Sequence, residues 1–285
     1  MSNTPSPISP VLVTGATGKT GARVTRALEA RGITVRAASR SGAVRFDWDD
    51  RATWGPALEG ARALSISYAP DLAVPGAAEI VAALAEAATA AGVHRVVLLS
   101  GRGEKEALRA EGLVRAAAPG TAVVRSAFFM QNFSESLFGE SLVDGELALP
   151  VGDVPEPFVD VDDVADAMVA ALTEEGHERR TYEVTGPRLL TFAEAVAEIA
   201  AASGRDLGYS AIPAADYADA LAGAGVPDDV ADLLMYLFTQ VLDGRNASLT
   251  DGVERALGRP PRDFAAFAAA AASTGAWDVT AAGAR

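Results

Sequence analysis

Gly15, Gly18 and Gly21 are the residues whose type and spacing first suggest chemistry, because they follow the apolar triplet Val11-Leu12-Val13 and precede a helical pattern through Val24 and Leu28. The chemistry is the holding of a phosphate. A glycine at 15 lets the backbone turn sharply, one at 18 admits a diphosphate against bare main chain, and one at 21 lets the helix pack close to the strand. The free amides at the helix start then face the anion, helped by the helix dipole. Thr17, Lys19 and Thr20 share this turn and are expected to share the contact. Gly18-Lys19-Thr20 also matches the end of a nucleoside triphosphate loop, but the first glycine of that motif should fall where this chain has Val13. A dinucleotide is expected rather than ATP.

The tip of the second strand selects between dinucleotides. Residues 33–38 read as that strand and end in Ser39-Arg40-Ser41. An acid there favours a free ribose 2′-hydroxyl, whereas an arginine accommodates a 2′-phosphate. With Ser39 and Arg40 present and no acid, the expected cofactor is NADP(H). A third strand over 43–47 leads into Asp47 and Trp48, an acid and a flat ring that could meet the adenine edge and face.

Composition excludes several other functions. There is no cysteine, so disulfides, thiolate nucleophiles and cysteine metal sites are out, and two histidines cannot build a histidine-rich metal centre. A formal net charge of −14 would repel a phosphate backbone, so nucleic acid is not an expected partner. No apolar run approaches the roughly 18 residues that span a bilayer, and the N-terminus lacks the pattern of a secretory signal. The expected location is the cytoplasm, without membrane contact, as a monomer or homodimer acting on a small molecule.

The elements that must position these residues alternate regularly. Strands are expected at 11–13, 33–38, 43–47, 62–67, 94–100 and 121–125, with helices between them at 75–91 and 104–117. That rhythm implies an α/β fold, a Rossmann-like doubly wound parallel sheet. Beyond Leu137 the rhythm breaks. Short extended pieces are expected at 145–150 and 158–161, a helix over 164–172, a strand at 182–185 returning to the main sheet, and a helix opened by a Thr191–Glu194 capping box. From Pro213 the chain reads as helices over 214–222, 227–242 and 263–272. The expected division is a flexible arm at 1–9, an NADP-binding core over 10–150, and a region over 151–285 that returns to the sheet and forms a smaller, mostly helical substrate lobe. Asp160, Asp162, Asp163 and Asp166 suggest acid enrichment at a helix start more than a hard-metal site, and no metal is expected.

Several stretches together resemble one family. Thr14-Gly15-Ala16-Thr17-Gly18-Lys19-Thr20-Gly21, Arg40, Phe129-Met130-Gln131-Asn132-Phe133 and Phe158-Val159-Asp160-Val161-Asp162-Asp163-Val164-Ala165 are similar to the NmrA-like, NAD(P)-binding branch of the short-chain dehydrogenase/reductases. Leu98-Leu99-Ser100-Gly101-Arg102-Gly103-Glu104 and Leu242-Asp243-Gly244-Arg245-Asn246 resemble the agroclavine dehydrogenase-like group within it. The resemblance implies hydride transfer from NADPH. It also exposes a departure. Ordinary members of the superfamily use a Tyr-x-x-x-Lys proton relay, yet Tyr68, Tyr182, Tyr209, Tyr217 and Tyr236 are followed four residues later by Leu72, Gly186, Pro213, Leu221 and Gln240.

Three readings follow from that gap. A reductase could act on an iminium ion, which needs no proton at the reacting carbon, or on an enone, quinone or ketone with Ser100, Lys105, Tyr68 or water as donor. A non-catalytic NADP(H) sensor and a non-redox cyclisation or isomerisation are the alternatives. Phe128, Phe129 and Met130 would supply an apolar, aromatic enclosure for a flat substrate. The reductase is the preferred reading. A serine hydrolase is disfavoured because Ser100 lacks the G-x-S-x-G frame.

Overall fold

The computed structural model describes residues 8–279, so most of the expected N-terminal arm, residues 1–7, lies outside the described residues. In chain order the strands are β1 Val11–Val13, β2 Val35–Ser39, β3 Val44–Arg45, β4 Ala63–Ile66, β5 Arg95–Gly101, β6 Ala122–Ser126, β7 Glu146–Leu149, β8 Thr181–Val184 and β9 Gly208–Ala211. The helices begin with α1 Lys19–Ala30, α2 Trp54–Leu58, α3 Ala77–Ala90 and α4 Lys105–Ala117. They continue as α5 Leu137–Asp144, α6 Val161–Thr173, α7 Phe192–Ser203, α8 Ala214–Gly223, α9 Asp228–Tyr236, α10 Gly252–Leu257 and α11 Phe264–Ser273.

The chain folds into two compact units, and they do not divide at residue 150. The first comprises the described residues up to Ser126 together with Val161–Val184 and Asp251–Arg259. The physical reason is the sheet, which runs β3-β2-β1-β4-β5-β6-β8 with every neighbouring pair parallel. β8 is its seventh strand, so α6 and β8 belong with β1 to β6 although they follow a long excursion. Central strands such as Val11-Leu12-Val13 and Ala63-Leu64-Ser65-Ile66 are wholly buried, as expected for a parallel sheet covered on both faces. α3 packs with α4, and α1 with α6. Strand order reverses between β1 and β4, and the loops leaving these two strands diverge there, which is where open α/β sheets hold ligands.

Cross-strand bonds fix that point. The Thr14 hydroxyl accepts the Ser67 N–H at 3.0 Å, while the Thr14 N–H donates to the Ser65 carbonyl at 3.0 Å. Thus the turn after β1 is tied to the end of β4. The return segment is tied in as well: the Arg259 guanidinium, just past α10, lies 2.8 Å from Asp163 and 2.6 Å from Asp166 on α6.

The second unit takes Ala127–Asp160, Thr185–Thr250 and the described residues from Pro260. It is mostly helical, with β7 and β9 pairing in parallel as a separate two-stranded sheet. β9 and α5 are not evident in the sequence pattern. The helix expected over 227–242 ends at Tyr236 and continues as a π-type turn, Leu237–Val241. No residue of α9 is buried, whereas Phe238 and Val241 in the turn are. The tighter packing begins where the helical repeat widens.

Candidate functional site

Within the first unit, the turn after β1 shows why each glycine is there. Gly15 has φ +61°, and a Cβ on it would lie 2.9 Å from the Ser67 carbonyl oxygen. On Gly21 a Cβ would overlap the Gly15 carbonyl, so the start of α1 can approach the turn only without a side chain. Gly18 is different: it precedes α1, donates its N–H to the Gly15 carbonyl at 2.9 Å, and has space for a Cβ at 3.4 Å from that oxygen. Its surface is therefore open. Thr17 and Gly18 are exposed, Lys19 is half-buried, and Thr20 and Gly21 are buried.

The N-terminus of α1 carries no side-chain cap and no acid in its first turn. Its amide donors point outward with the positive end of the helix dipole, the condition a diphosphate requires. Across the turn, the buried Ser67 hydroxyl has no hydrogen-bond partner. These residues fit a dinucleotide diphosphate.

At the end of β2, the Ser39 hydroxyl sits against Gly42, whose Cβ would lie 2.6 Å from it. Arg40 follows and is exposed. The next corner is aromatic. The Trp48 ring lies 4.8 Å from Phe46 and 4.8 Å from Tyr68, with Trp54 beyond. Asp47 holds the corner through its backbone, accepting the Trp54 indole N–H at 2.8 Å and donating to the Thr53 hydroxyl at 3.0 Å. Trp48 and Tyr68 are thus brought together at the ends of β3 and β4. Burial, then the charge of Asp49, pushes the Tyr68 phenol above its ordinary value.

The candidates after β5 have different surroundings. Ser100 is buried and donates its hydroxyl to Glu111 at 2.7 Å. Glu111 in turn receives both Nε and Nη2 of Arg125, at 2.8 and 2.7 Å. This bidentate bond raises the Arg125 guanidinium pKa. Glu183 extends the network, 3.5 Å from Arg125 and 3.4 Å from Arg102. Lys105, by contrast, is an exposed residue opening α4.

Glu104, beside it, folds back rather than capping the helix. Its carboxyl occupies the place a Cβ on Gly101 would take, within reach of the charge of Asp71. Burial, followed by the charge of Asp71, holds Glu104 well above the carboxylate range. Burial also raises Asp71, against the Ala73 N–H that donates to it at 2.8 Å.

Sequence reasoning singled out neither this pair nor Glu111. Glu111 left a signal: it falls among Ala107, Ala110 and Val114, the buried stripe of α4, where an acid needs a partner. Asp71 and Glu104 left none, since they sit on separate loops.

In the second unit, Phe128 and Phe129 are half-buried and Met130 is buried. Phe128 stacks on Phe138 at 6.2 Å and meets Phe192 edge-on at 5.6 Å. Phe129 bridges to Val159 through its backbone, and Met130 donates its N–H to the Val159 carbonyl at 2.9 Å.

The aspartates expected at a helix start are engaged in bonds. Asp160 accepts Gln131 Nε2 at 2.7 Å, Asp162 pairs with Arg23 at 2.8 Å, and Asp163 and Asp166 pair with Arg259. Among the described residues no cluster of acids and histidines could hold a metal.

Comparison with known proteins gives consistent relatives. An NAD(P)H azoreductase of Xenophilus azovorans is 32% identical over 288 residues, covering 92% of this chain and 98% of that protein. Agroclavine dehydrogenase of Claviceps fusiformis is 28% identical over 277 residues, covering 90% and 95%. In structure, the NADPH-dependent quinone oxidoreductase QOR2 of Escherichia coli, complexed with NADPH, matches with TM-score 0.72 at 24% identity, over 91% of this chain and 99% of that one. The NmrA-like family profile matches residues 8–258. The chain belongs to the NmrA-like family.

Proposed function

We propose that the protein is an NADP(H)-dependent reductase of small organic acceptors with a flat, cyclic or aromatic reacting part. The observation that carries this reading is the turn after β1, where an uncapped helix N-terminus meets an open glycine surface at the point of strand reversal. The azoreductase and clavine dehydrogenase relatives add chemical direction.

When bound, NADPH supplies a hydride. The residues of the chain bind and orient it: the amides of Gly15 and Thr17 and the bare main chain of Gly18 hold the diphosphate, with Lys19 and Thr20 beside them and Gly21 keeping α1 close. Ser39 and Arg40 take the 2′-phosphate, and Asp47 and Trp48 the adenine. In the second unit, Phe128 and Phe129 offer ring surface to an aromatic acceptor, and buried Met130 supports them from behind. Ser100 anchors Glu111 through its own proton and is a positioning residue. Tyr68 holds its proton tightly and serves the aromatic corner, and Lys105 is an exposed side chain at the start of α4.

The test joins a direct NADPH titration to NADPH oxidation across azo dyes, quinones, enones, ketones and cyclic iminium salts. Turnover of any class supports the reductase. Tight NADPH binding with no turnover across the panel overturns it in favour of a cofactor sensor.

A further inference from the structure

We propose that the second unit selects flat organic cations as the acceptors of this reductase, and that they dock on the exposed face of α9. The assignment rests on the reductase reading and adds the acceptor's charge to it. Charge is the first support. The stretches that form the second unit hold 18 acidic and five basic residues, a net −13 of the chain's −14, whereas those of the first hold 20 and 19. Acids serving solubility alone would be shared between the units. Three of the five basic residues are engaged within the second unit: Arg188 by Glu198 and Asp263, Arg205 by the carbonyls of Leu142, Val143 and Trp277, and Arg245 by Asp243.

The charge is dense beside an apolar face. Between Arg205 and Arg245 there is no lysine or arginine, and Asp216 and Asp219 on α8 and Asp228, Asp229 and Asp232 on α9 are all exposed. Asp216, Asp228 and Asp229 lie in first turns, where the helix dipole favours an acid. Asp219 and Asp232 lie beyond that reach, and Asp232 follows Asp228 at i,i+4, where like charges repel. Helix stability therefore does not account for them. α9 buries none of its residues. Its Ala231, Leu234 and Met235 pack against the apolar cluster of the unit, and the helical repeat turns half-exposed Leu233 and Tyr236 away from that contact. Leu233 comes one turn after Asp229, and Tyr236 one turn after Asp232, so each apolar side chain shares its face with a carboxyl group. The face adjoins further rings: Phe238, in the turn after α9, lies 6.3 Å from half-buried Phe128 and 5.6 Å from Tyr217 of α8.

These parts are complementary to one kind of occupant. A flat ring lies against Leu233 and Tyr236, and a positive charge on it meets the neighbouring carboxyl groups and the π face of Tyr236. A neutral ring gains the first contact alone. An anionic ring is repelled. A field of this sign also gathers cations before contact, raising association by about 10- to 10³-fold and weakening as salt is added. A second copy of the chain docking by the same face would set acid against acid.

The experiment uses the full chain and probes that share one ring and differ in charge. For binding these are trimethyl(2-naphthylmethyl)ammonium, 2-naphthylmethanol and 2-naphthylmethanesulfonate, none of them reducible by hydride. For turnover they are 1,4-naphthoquinones bearing trimethylammoniomethyl, hydroxymethyl or sulfomethyl at C2. At low ionic strength the cation should bind wild type about tenfold or more tighter than the anion, and about 0.5 M NaCl should remove most of that preference. The salt titration reads the field without any variant. Asp219→Asn combined with Asp232→Asn should cut the cation-to-anion ratio about threefold or more, and Tyr236→Ala should weaken the cation and the neutral probe together. The kcat/KM values of the cationic and anionic quinones should follow the same pattern. Equal affinity for cation and anion, or a preference indifferent to salt and to both aspartates, overturns the cation assignment while turnover of the quinones leaves the reductase reading standing. A wild-type dimer that Leu233→Glu converts to monomer overturns it as well, because a second copy then covers the face. Absence of turnover with every acceptor overturns the reductase reading, and the acceptor role of any bound cation with it.

Discussion

At the residue scale, the glycines after β1 are not equivalent, and substitution should separate them. Gly21→Ala gains helix propensity of about 1 kcal/mol but places a Cβ into the Gly15 carbonyl, a backbone atom that cannot rotate away. Overpacking of this kind costs roughly 1–3 kcal/mol, so the net change should be a loss, read as a lower urea midpoint with unchanged slope. NADPH affinity should fall with it, because the turn that must yield is the one proposed to hold the diphosphate. Equal stability of variant and wild type would contradict the close approach. Arg40 calls for a different readout. Arg40→Asp should weaken NADPH binding by about tenfold or more while NADH changes little, since only the former carries the 2′-phosphate. Equal losses for both would remove Arg40 from that contact. The glycine turn was legible in the sequence because its three residues, strand and helix are contiguous. The Asp71–Glu104 pair was not, because nothing local to either acid reports the other.

At the element scale, α4 is held to the sheet by an unusual device for a buried stripe. Glu111 is 4% exposed and receives three hydrogen bonds, one from Ser100 on β5 and two from Arg125 on β6. Removing one member of a buried ion pair costs roughly 3–5 kcal/mol. The Arg125 side chain is 21% exposed and can recover some hydration, so Glu111→Ala should cost nearer the lower end, about 3 kcal/mol, by urea unfolding. Glu111→Gln keeps the shape and one acceptor and should lose less. A loss below about 0.5 kcal/mol in the alanine variant would show the network to be energetically idle. The strands and helices through residue 126 were legible because Val/Leu runs alternate with glycine-bounded helical patterns. So was the Thr191–Glu194 capping box, whose reciprocal bonds measure 3.1 and 2.8 Å. The break after Tyr236 was not legible, because Pro227 is followed by sixteen residues without glycine or proline and the π-type turn comes from the packing of Phe238 and Val241. β9 escaped for a related reason: its partner β7 is distant in sequence, and Gly-Tyr-Ser-Ala has little apolar character of its own.

At the scale of the whole molecule, the buried Glu104 carboxyl makes stability depend on pH in a direction opposite to the ordinary salt-bridged acid. Glu104 is raised by burial and then by the charge of Asp71. In the unfolded chain it loses its proton near pH ~4.3, whereas in the folded protein it keeps it to higher pH. Across that interval the folded state binds more protons than the unfolded one, so the slope of unfolding free energy with pH is negative. The protein is favoured below the unfolded value and loses stability as pH rises toward the folded one, at up to about 1.4 kcal/mol per pH unit within the window. Glu104→Gln is neutral throughout, so it removes this contribution and leaves every other charge in place. Urea unfolding of wild type and variant at several pH values should therefore give curves that diverge, with wild type losing ground to the variant as pH rises above the ordinary carboxylate range. The comparison requires neither cofactor nor substrate and reads the proton on Glu104 itself. Parallel curves would mean that Glu104 ionises in the folded protein as it does in the unfolded chain.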